Sequence, residues 1–273
     1  MANIVARLAL LFGLLMPFGL GAQSTKTLTV LVVPQYAETR IYSTWQPILQ
    51  SAAQKLGVQF ELLLSQDIPT FEKEILAGRA DIIFCNPYHM LIAKQKQGYM
   101  PFVRDSNSMR GLLLAAQDGQ VNSLKDLEGQ TLLFPAPNAF GASLYMRALL
   151  TEKEKLQFTP KYVKTHPNVM RGILRGEGAA GGTVTTAMGT ENESIEAKLK
   201  VVYETPPTAP HPLAVHARVA EPLRKRLAQA FIDAILQHPH SAINIPMPNP
   251  VPSQYETDYK PLEKLRLERY AAP

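Results

Sequence analysis

Four stretches of the chain share one pattern: an apolar run ends, a polar residue or proline follows, and a helical pattern begins. They are VVPQYAETRIYSTW from Val32, IIFCNPYHML from Ile82, LLFPAPNAFGASLYM from Leu132 and YVKTHPNVM from Tyr162. Asn86, Asn138 and Thr165 are placed to cap the helices that follow, with Pro87 and Pro167 suited to a first helical position. If the apolar runs are parallel strands, these turns gather at the carboxyl edge of a sheet, where crevices take ligands. Helix N-termini there carry unpaired N–H groups and partial positive charge, a chemistry that suits an anion.

Within these turns, Cys85 precedes a capped helix, which lowers a thiol pKa if the side chain is exposed; the alternative is an inert buried cysteine. Tyr36 and Tyr88 could give the crevice an aromatic wall with hydroxyl donors, or simply pack. His166 and His211 lie in polar turns beside prolines, as ligand-facing residues would, whereas His89 falls inside a helix and makes a poor partner for Cys85. The chain has no G-x-S-x-G, P-loop or G-x-G-x-x-G, and its histidines and single cysteine show no metal-ligand spacing, so neither an enzyme nor a cofactor nor a metal is expected.

The elements that would hold these residues read as alternating strand and helix. The run Leu28 to Val33 is a strand, Trp45 to Leu56 a helix stopped by Gly57, Val58 to Leu64 a strand, Phe71 to Leu76 a helix, and Asp81 to Phe84 a strand before a helix from Tyr88 to Gln97. A second unit starts after Arg110, with apolar Leu112 to Ala116, a strand at Thr131 to Phe134 and a helix at Phe140 to Leu150. Gly178 to Val184 reads as small and flexible, Val201 to Tyr203 as a strand, and the proline-rich TPPTAPHP as a crossing between units. Leu223 to Leu236 is an amphipathic helix, and the terminal YETDYKPLEKLRLERY reads as a surface segment. The alternation indicates an α/β fold in which mostly parallel sheets are flanked by helices.

Of 273 residues, 46% are hydrophobic, which fits a globular core and excludes a disordered chain. The net charge of +5 comes from interleaved acidic and basic residues, so no nucleic-acid partner is expected. One cysteine excludes an internal disulfide. The first residues, with Arg7, an apolar run from Leu8 to Leu20 and then Gly21 and Ala22, read as a secretory signal peptide over 1–22, with no cysteine at the cleavage point to carry lipid. The chain is therefore expected in the periplasm.

At Trp45-Gln46-Pro47-Ile48-Leu49, Lys55-Leu56-Gly57-Val58, Ala77-Gly78-Arg79-Ala80-Asp81-Ile82, Ser123-Leu124-Lys125-Asp126-Leu127-Glu128-Gly129 and Pro137-Asn138, the sequence resembles the periplasmic phosphate, phosphite and phosphonate-binding proteins of ABC importers. The resemblance implies a two-lobed clamp of the type II periplasmic-binding-protein kind, with lobe one at 24–112 plus 206–273 and lobe two at 113–205. It implies capture of a small oxyanion between the lobes, an ABC permease as partner, and a monomer.

Several positions depart from the family pattern. Where the family has Ser-Thr-Ser-Gly after Pro-Asn, this chain has Ala139-Phe140-Gly141-Ala142, which keeps backbone N–H groups and loses three hydroxyls. The carboxylates that meet a ligand amine in aminoalkylphosphonate binders fall at Thr186 and His211, which disfavours an aminophosphonate. A family tyrosine falls at Cys85, and the family histidine is kept as His166. The ligand residues expected are Tyr36, Cys85, Asn86 and Tyr88 in lobe one, Asn138, Ala139, Phe140, Gly141, His166, Thr185 and Thr186 in lobe two, and His211 at the crossing. The alternative is a sensing module for a membrane signalling protein, binding a soft oxyanion such as arsenite through Cys85.

Overall fold

A computed structural model describes residues 26–189 and 192–272; the expected signal peptide lies outside them. The first segment runs β1 (Thr27–Val32), α1 (Glu38–Leu56), β2 (Gln59–Leu64), α2 (Ile68–Leu76), β3 (Ile82–Phe84), α3 (Pro87–Gln97) and β4 (Met100–Asp105). The second runs β5 (Gly111–Ala116), β6 (Thr131–Phe134), α4 (Tyr145–Glu152), β7 (Thr159–Tyr162), α5 (His166–Leu174), β8 (Ala180–Val184), α6 (Glu193–Glu196) and β9 (Leu199–Glu204). The chain then returns with β10 (Leu213–Val215), α7 (Glu221–Gln237), α8 (Pro239–Asn244), β11 (Pro250–Pro252) and α9 (Tyr255–Asp258).

These strands form two sheets, β11-β4-β10-β3-β1-β2 and β7-β6-β8-β5-β9. β1 pairs in parallel with β2 and β3, and β6 with β7 and β8, as the strand–helix alternation predicts. The sheets are nonetheless mixed. β10 sits antiparallel between β3 and β4, and β5 antiparallel between β8 and β9. The reason is topological: a strand arriving from the other sheet starts at the cleft, where the parallel strands end, so it must run against them. The crossing segments are themselves paired, Met109 with Thr208 through two backbone bonds and Gly111 with Thr205 through the backbone and the Thr205 hydroxyl.

α1 buries Ile41, Trp45, Ile48, Leu49, Ala52 and Leu56 against the first sheet, and Gly57 ends it in the left-handed region at φ 68°. The strand Met100–Asp105 carries no clear alternation and was not legible in the sequence; its neighbour β10 makes it part of the sheet. The stretch Gly178 to Val184, expected to be flexible, is largely the fully buried strand β8. Its glycines serve close packing: a Cβ on Gly182 would lie 1.8 Å from the Ala142 carbonyl oxygen, and one on Gly111, in the neighbouring strand, 2.2 Å from that of Gly141. The terminal segment buries Tyr255, Tyr259, Leu262 and Leu267, and the Tyr259 hydroxyl donates to the Pro210 carbonyl at 2.8 Å.

Because the obstructing atoms at Gly182 and Gly111 are backbone, they cannot rotate away. Gly182→Ala is expected to lower stability by about 1–3 kcal/mol or more, the range for overpacking, and to displace the 139–142 turn. Urea unfolding of Gly182→Ala and Gly111→Ala with an unchanged midpoint would refute this contact.

Candidate functional site

The four turns singled out in the sequence meet at one cleft between the sheets. After β1, Val33, Pro34 and Gln35 form a turn held by Val33 N–H to the Phe84 carbonyl at 3.0 Å and Gln35 N–H to the Val33 carbonyl at 2.9 Å. After β3, Asn86 caps α3 by accepting from the His89 N–H at 2.8 Å, with Pro87 following as expected. After β6 the chain enters a π-helical turn, Phe140–Leu144, a geometry that recurs at functional sites. After β7, Lys164 takes a left-handed φ of 77°, its N–H donates to the Pro135 carbonyl at 2.8 Å, and Thr165 caps α5.

The cleft is lined by Val33, Pro34, Gln35, Ile68, Asn86, Pro135, Ala139–Ala142, Lys164, His166, Val184 and His211. Its inner volume is about 20 Å³, room for about one water. No side-chain hydroxyl and no carboxylate belongs to this lining. The N–H groups of Phe140, Gly141 and Ala142 open the π turn and have no acceptor among the described residues. The Gln35 amide nitrogen donates to His211 Nε2 at 3.2 Å, which assigns the His211 proton to Nδ1, a buried atom without a hydrogen-bond partner. Exposed Lys164 adds a cation at the edge. Together these place N–H donors and a cation around a small, otherwise apolar space, a donor chemistry that suits anionic oxygens, although the space as it stands has room for about one water only.

Burial keeps the cleft imidazoles neutral. His166 is 4% exposed, its Nδ1 lies 3.0 Å from the Thr183 hydroxyl, and desolvation lowers its pKa to about 4. Desolvation, aided by His89 and His166, lowers that of His211 to about 3.

Of the residues expected at the ligand, Asn86, Ala139, Phe140, Gly141, His166 and His211 line this cleft. Tyr36 stands outside it, with the Arg40 guanidinium 4.1 Å over its ring. Three expectations need correction. Cys85 is wholly buried because it prolongs a strand covered on both faces; burial raises its thiol pKa, the reverse of an activated thiol. Tyr88 is the second residue of α3 and faces the terminal segment, beside Tyr255, Leu262 and Leu267. Thr185 and Thr186 lie past the end of β8 at the crossing, where the Thr185 hydroxyl accepts from the Arg110 N–H at 3.1 Å. Gln35 and Lys164 were overlooked although both lie inside the flagged turns; a cation next to a cap was the available signal.

Asn138 does not cap a helix; Ala139 holds that position. It joins the lobes instead. Its carbonyl accepts from the Asn86 amide at 3.0 Å, and its own amide nitrogen donates to Glu72 Oε2 and to the Ala272 carbonyl, both at 3.1 Å. Its Oδ1 accepts from the Ala272 N–H at 2.9 Å, and Glu72 Oε1 lies 2.8 Å from His89 Nε2. Arg147 adds a bond from the second lobe to the Tyr270 carbonyl at 2.8 Å. The terminal segment thus spans from the first lobe's core to the second lobe.

Asn138→Ala would leave Glu72 and Ala272 with unmet hydrogen bonds, at a cost of about 1–3 kcal/mol, and is expected to loosen the lobes, measured as a larger radius of gyration in solution scattering. An unchanged radius and unfolding midpoint would contradict the bridging role. The two imidazoles predict acid sensitivity. Above about pH 6.5 they are neutral in both states; as pH falls below that, the unfolded chain binds protons that the folded cleft refuses, so stability drops until the folded pKa values of about 4 and 3 are reached. Denaturant midpoints measured from pH 7 to 4 should fall, and less steeply in His211→Gln.

The family profile described as ABC transporter, phosphonate, periplasmic substrate-binding protein matches residues 30–241. The phosphate-import protein PhnD of Mycolicibacterium smegmatis is 22% identical over 136 residues, 47% of this chain and 42% of that protein; the chain's match thus spans less than half of the relative's length. Among solved structures, PhnD1 of Prochlorococcus marinus, determined with methylphosphonate, superposes with a TM-score of 0.79 at 12% identity, covering 89% of this chain and 98% of that one. A binding protein component of an ABC phosphonate transporter from Pseudomonas aeruginosa gives 0.77 at 15% identity, covering 90% and 88%. At these identities the structures share a fold, and the two-sheet α/β clamp is that fold. With the profile spanning both sheets, the chain belongs to the phosphonate-type periplasmic substrate-binding proteins of ABC transporters.

Proposed function

We propose that this chain captures a small phosphorus oxyanion, a phosphonate or phosphate, between its lobes in the periplasm and delivers it to an ABC permease, acting as a monomer with lobe one at 24–112 plus 206–273 and lobe two at 113–205. The observation that carries the reading is a set of donors on one cleft: the unpaired N–H groups of Phe140 to Ala142 and the unpaired His211 Nδ1–H, with the Lys164 ammonium at the edge. The Prochlorococcus relative holding methylphosphonate and the Mycolicibacterium phosphate-import protein support that ligand class.

Donors come from both sides of the cleft, Gln35 and His211 on one and the π turn on the other. A ligand that bonds to both stabilises the shut clamp relative to the open one, and only such differential contacts shift the population. The lining of the inner cleft holds no carboxylate, so an ammonium lying close to the head finds no partner there. A soft oxyanion held through Cys85 finds no support, since that thiol is 0% exposed.

Calorimetric titration of the chain with phosphate, phosphite, methylphosphonate and 2-aminoethylphosphonate tests this. Binding of at least one of the first three is expected. His211→Ala and Lys164→Ala should each weaken it by about 1.5–3 kcal/mol, the worth of a hydrogen bond to a charged group. No binding of any phosphorus oxyanion, or binding indifferent to both substitutions, overturns the reading.

A further inference from the structure

The inner cleft is small, but it does not end at its own walls. Pro34, Ile68, Pro135 and Lys164 line both the cleft and a larger groove of about 610 Å³, within the about 300–1,000 Å³ typical of small-molecule sites. We propose that this groove is a subsite for a neutral, planar organic group carried on the phosphorus oxyanion, so that the preferred ligand class is an aryl or similarly flat phosphonate or phosphate monoester. The inference rests on the oxyanion reading above and extends it.

Both lobes build the groove. Tyr36 and Pro69 come from the first and Pro137 and Tyr162 from the second, so an occupant would contact both lobes and favour their closure in the same way as the anionic head. Prolines and tyrosines give the groove its rigid, flat faces: prolines lose little freedom on binding, and tyrosine rings have few rotatable bonds. Tyr162 is 40% exposed, an unusual position for a large ring on a strand, and the Arg147 guanidinium lies 5.8 Å from its centroid. Tyr36 is held by Arg40.

Charge sets the polarity of the ligand. Lys164 lines both cleft and groove and stands within electrostatic reach of Asp67, while the groove's two acids, Glu38 and Asp67, oppose a second anionic group. The cleft also lacks the side-chain hydroxyls that would otherwise grip the head. A ligand with little beyond the head leaves the groove to water, whereas a flat neutral substituent would bury it against Tyr162 and the prolines.

Calorimetric titration with methylphosphonate, phenylphosphonate, phenyl phosphate and inorganic phosphate decides the matter. Phenylphosphonate is expected to bind about tenfold more tightly than methylphosphonate, from ring stacking and apolar burial. Tyr162→Ala should remove most of that gain while leaving methylphosphonate within about twofold, and Tyr162→Phe should keep it. A preference for phenyl phosphate over phenylphosphonate would support the subsite and mark the ester as the source of the head. Equal affinity for the methyl and phenyl compounds, or a Tyr162→Ala loss common to both, overturns the subsite and leaves the oxyanion reading intact. Failure of all four compounds overturns both.

Discussion

The backbone of the turn that follows β6 lies so close to β5 and β8 that side chains have no place between them, and that closeness positions the rest of the cleft. Gly111 and Gly182 make it possible, because a Cβ at either would stand inside contact distance of the Gly141 or Ala142 carbonyl. With the turn seated there, Phe140 stacks on Tyr145 at 5.6 Å, the π-helical start leaves three N–H groups pointing away from helical acceptors, and Asn138 is brought to the first lobe. Small residues are therefore a packing requirement here, and the donors of the site are its product.

Besides a continuous apolar core in which Phe140, Leu144 and Tyr145 pack with first-lobe residues, the lobes are joined by hydrogen bonds around Asn138. Each proton of its amide nitrogen and its oxygen have partners, from Glu72 on one side and Ala272 on the other. Such bonds are worth little net when water can replace them and a good deal when one partner is lost in a buried place. That balance suits a clamp, since opening exchanges these bonds for water while a misplaced closure leaves them unmet. The crossing segments, Met109 with Thr208 and Gly111 with Thr205, are paired and tie the two sheets together at the crossing.

Chemically the cleft has traded hydroxyl donors for backbone N–H groups and imidazole. Neutral His166 and His211 can each donate one hydrogen bond without bringing a permanent charge into a dry space, which avoids the desolvation cost of a buried cation. The full positive charge, Lys164, stays at the solvent edge, within electrostatic reach of Asp67. The left-handed φ of 77° at Lys164 places it there, a strained conformation for a non-glycine residue and one secured by its N–H bond to Pro135.

Local chemistry made much of this legible. The strand–turn–helix pattern, the caps Asn86 and Thr165 and the prolines after them depend on neighbours in sequence, and all were read from it. So was the gathering of the four turns, which follows from parallel strands sharing one edge. Whether a turn residue faces the cleft depends instead on partners far along the chain. Cys85 and Asn86 are adjacent, yet the thiol is sealed in the core by sheet neighbours while the amide crosses to Asn138. Tyr88 is covered by a segment over 150 residues away, and Asn138, a plausible cap by type, is claimed by Glu72 and Ala272. The sequence by itself determined most of the elements, β4 and β8 excepted, the strand–helix alternation and the edge at which chemistry gathers, because these rest on periodicity and backbone hydrogen bonding. Tertiary structure alone decided which side chains reach the cleft and which imidazole proton is left unpaired, because burial and long-range hydrogen bonds exist only once the two sheets face each other.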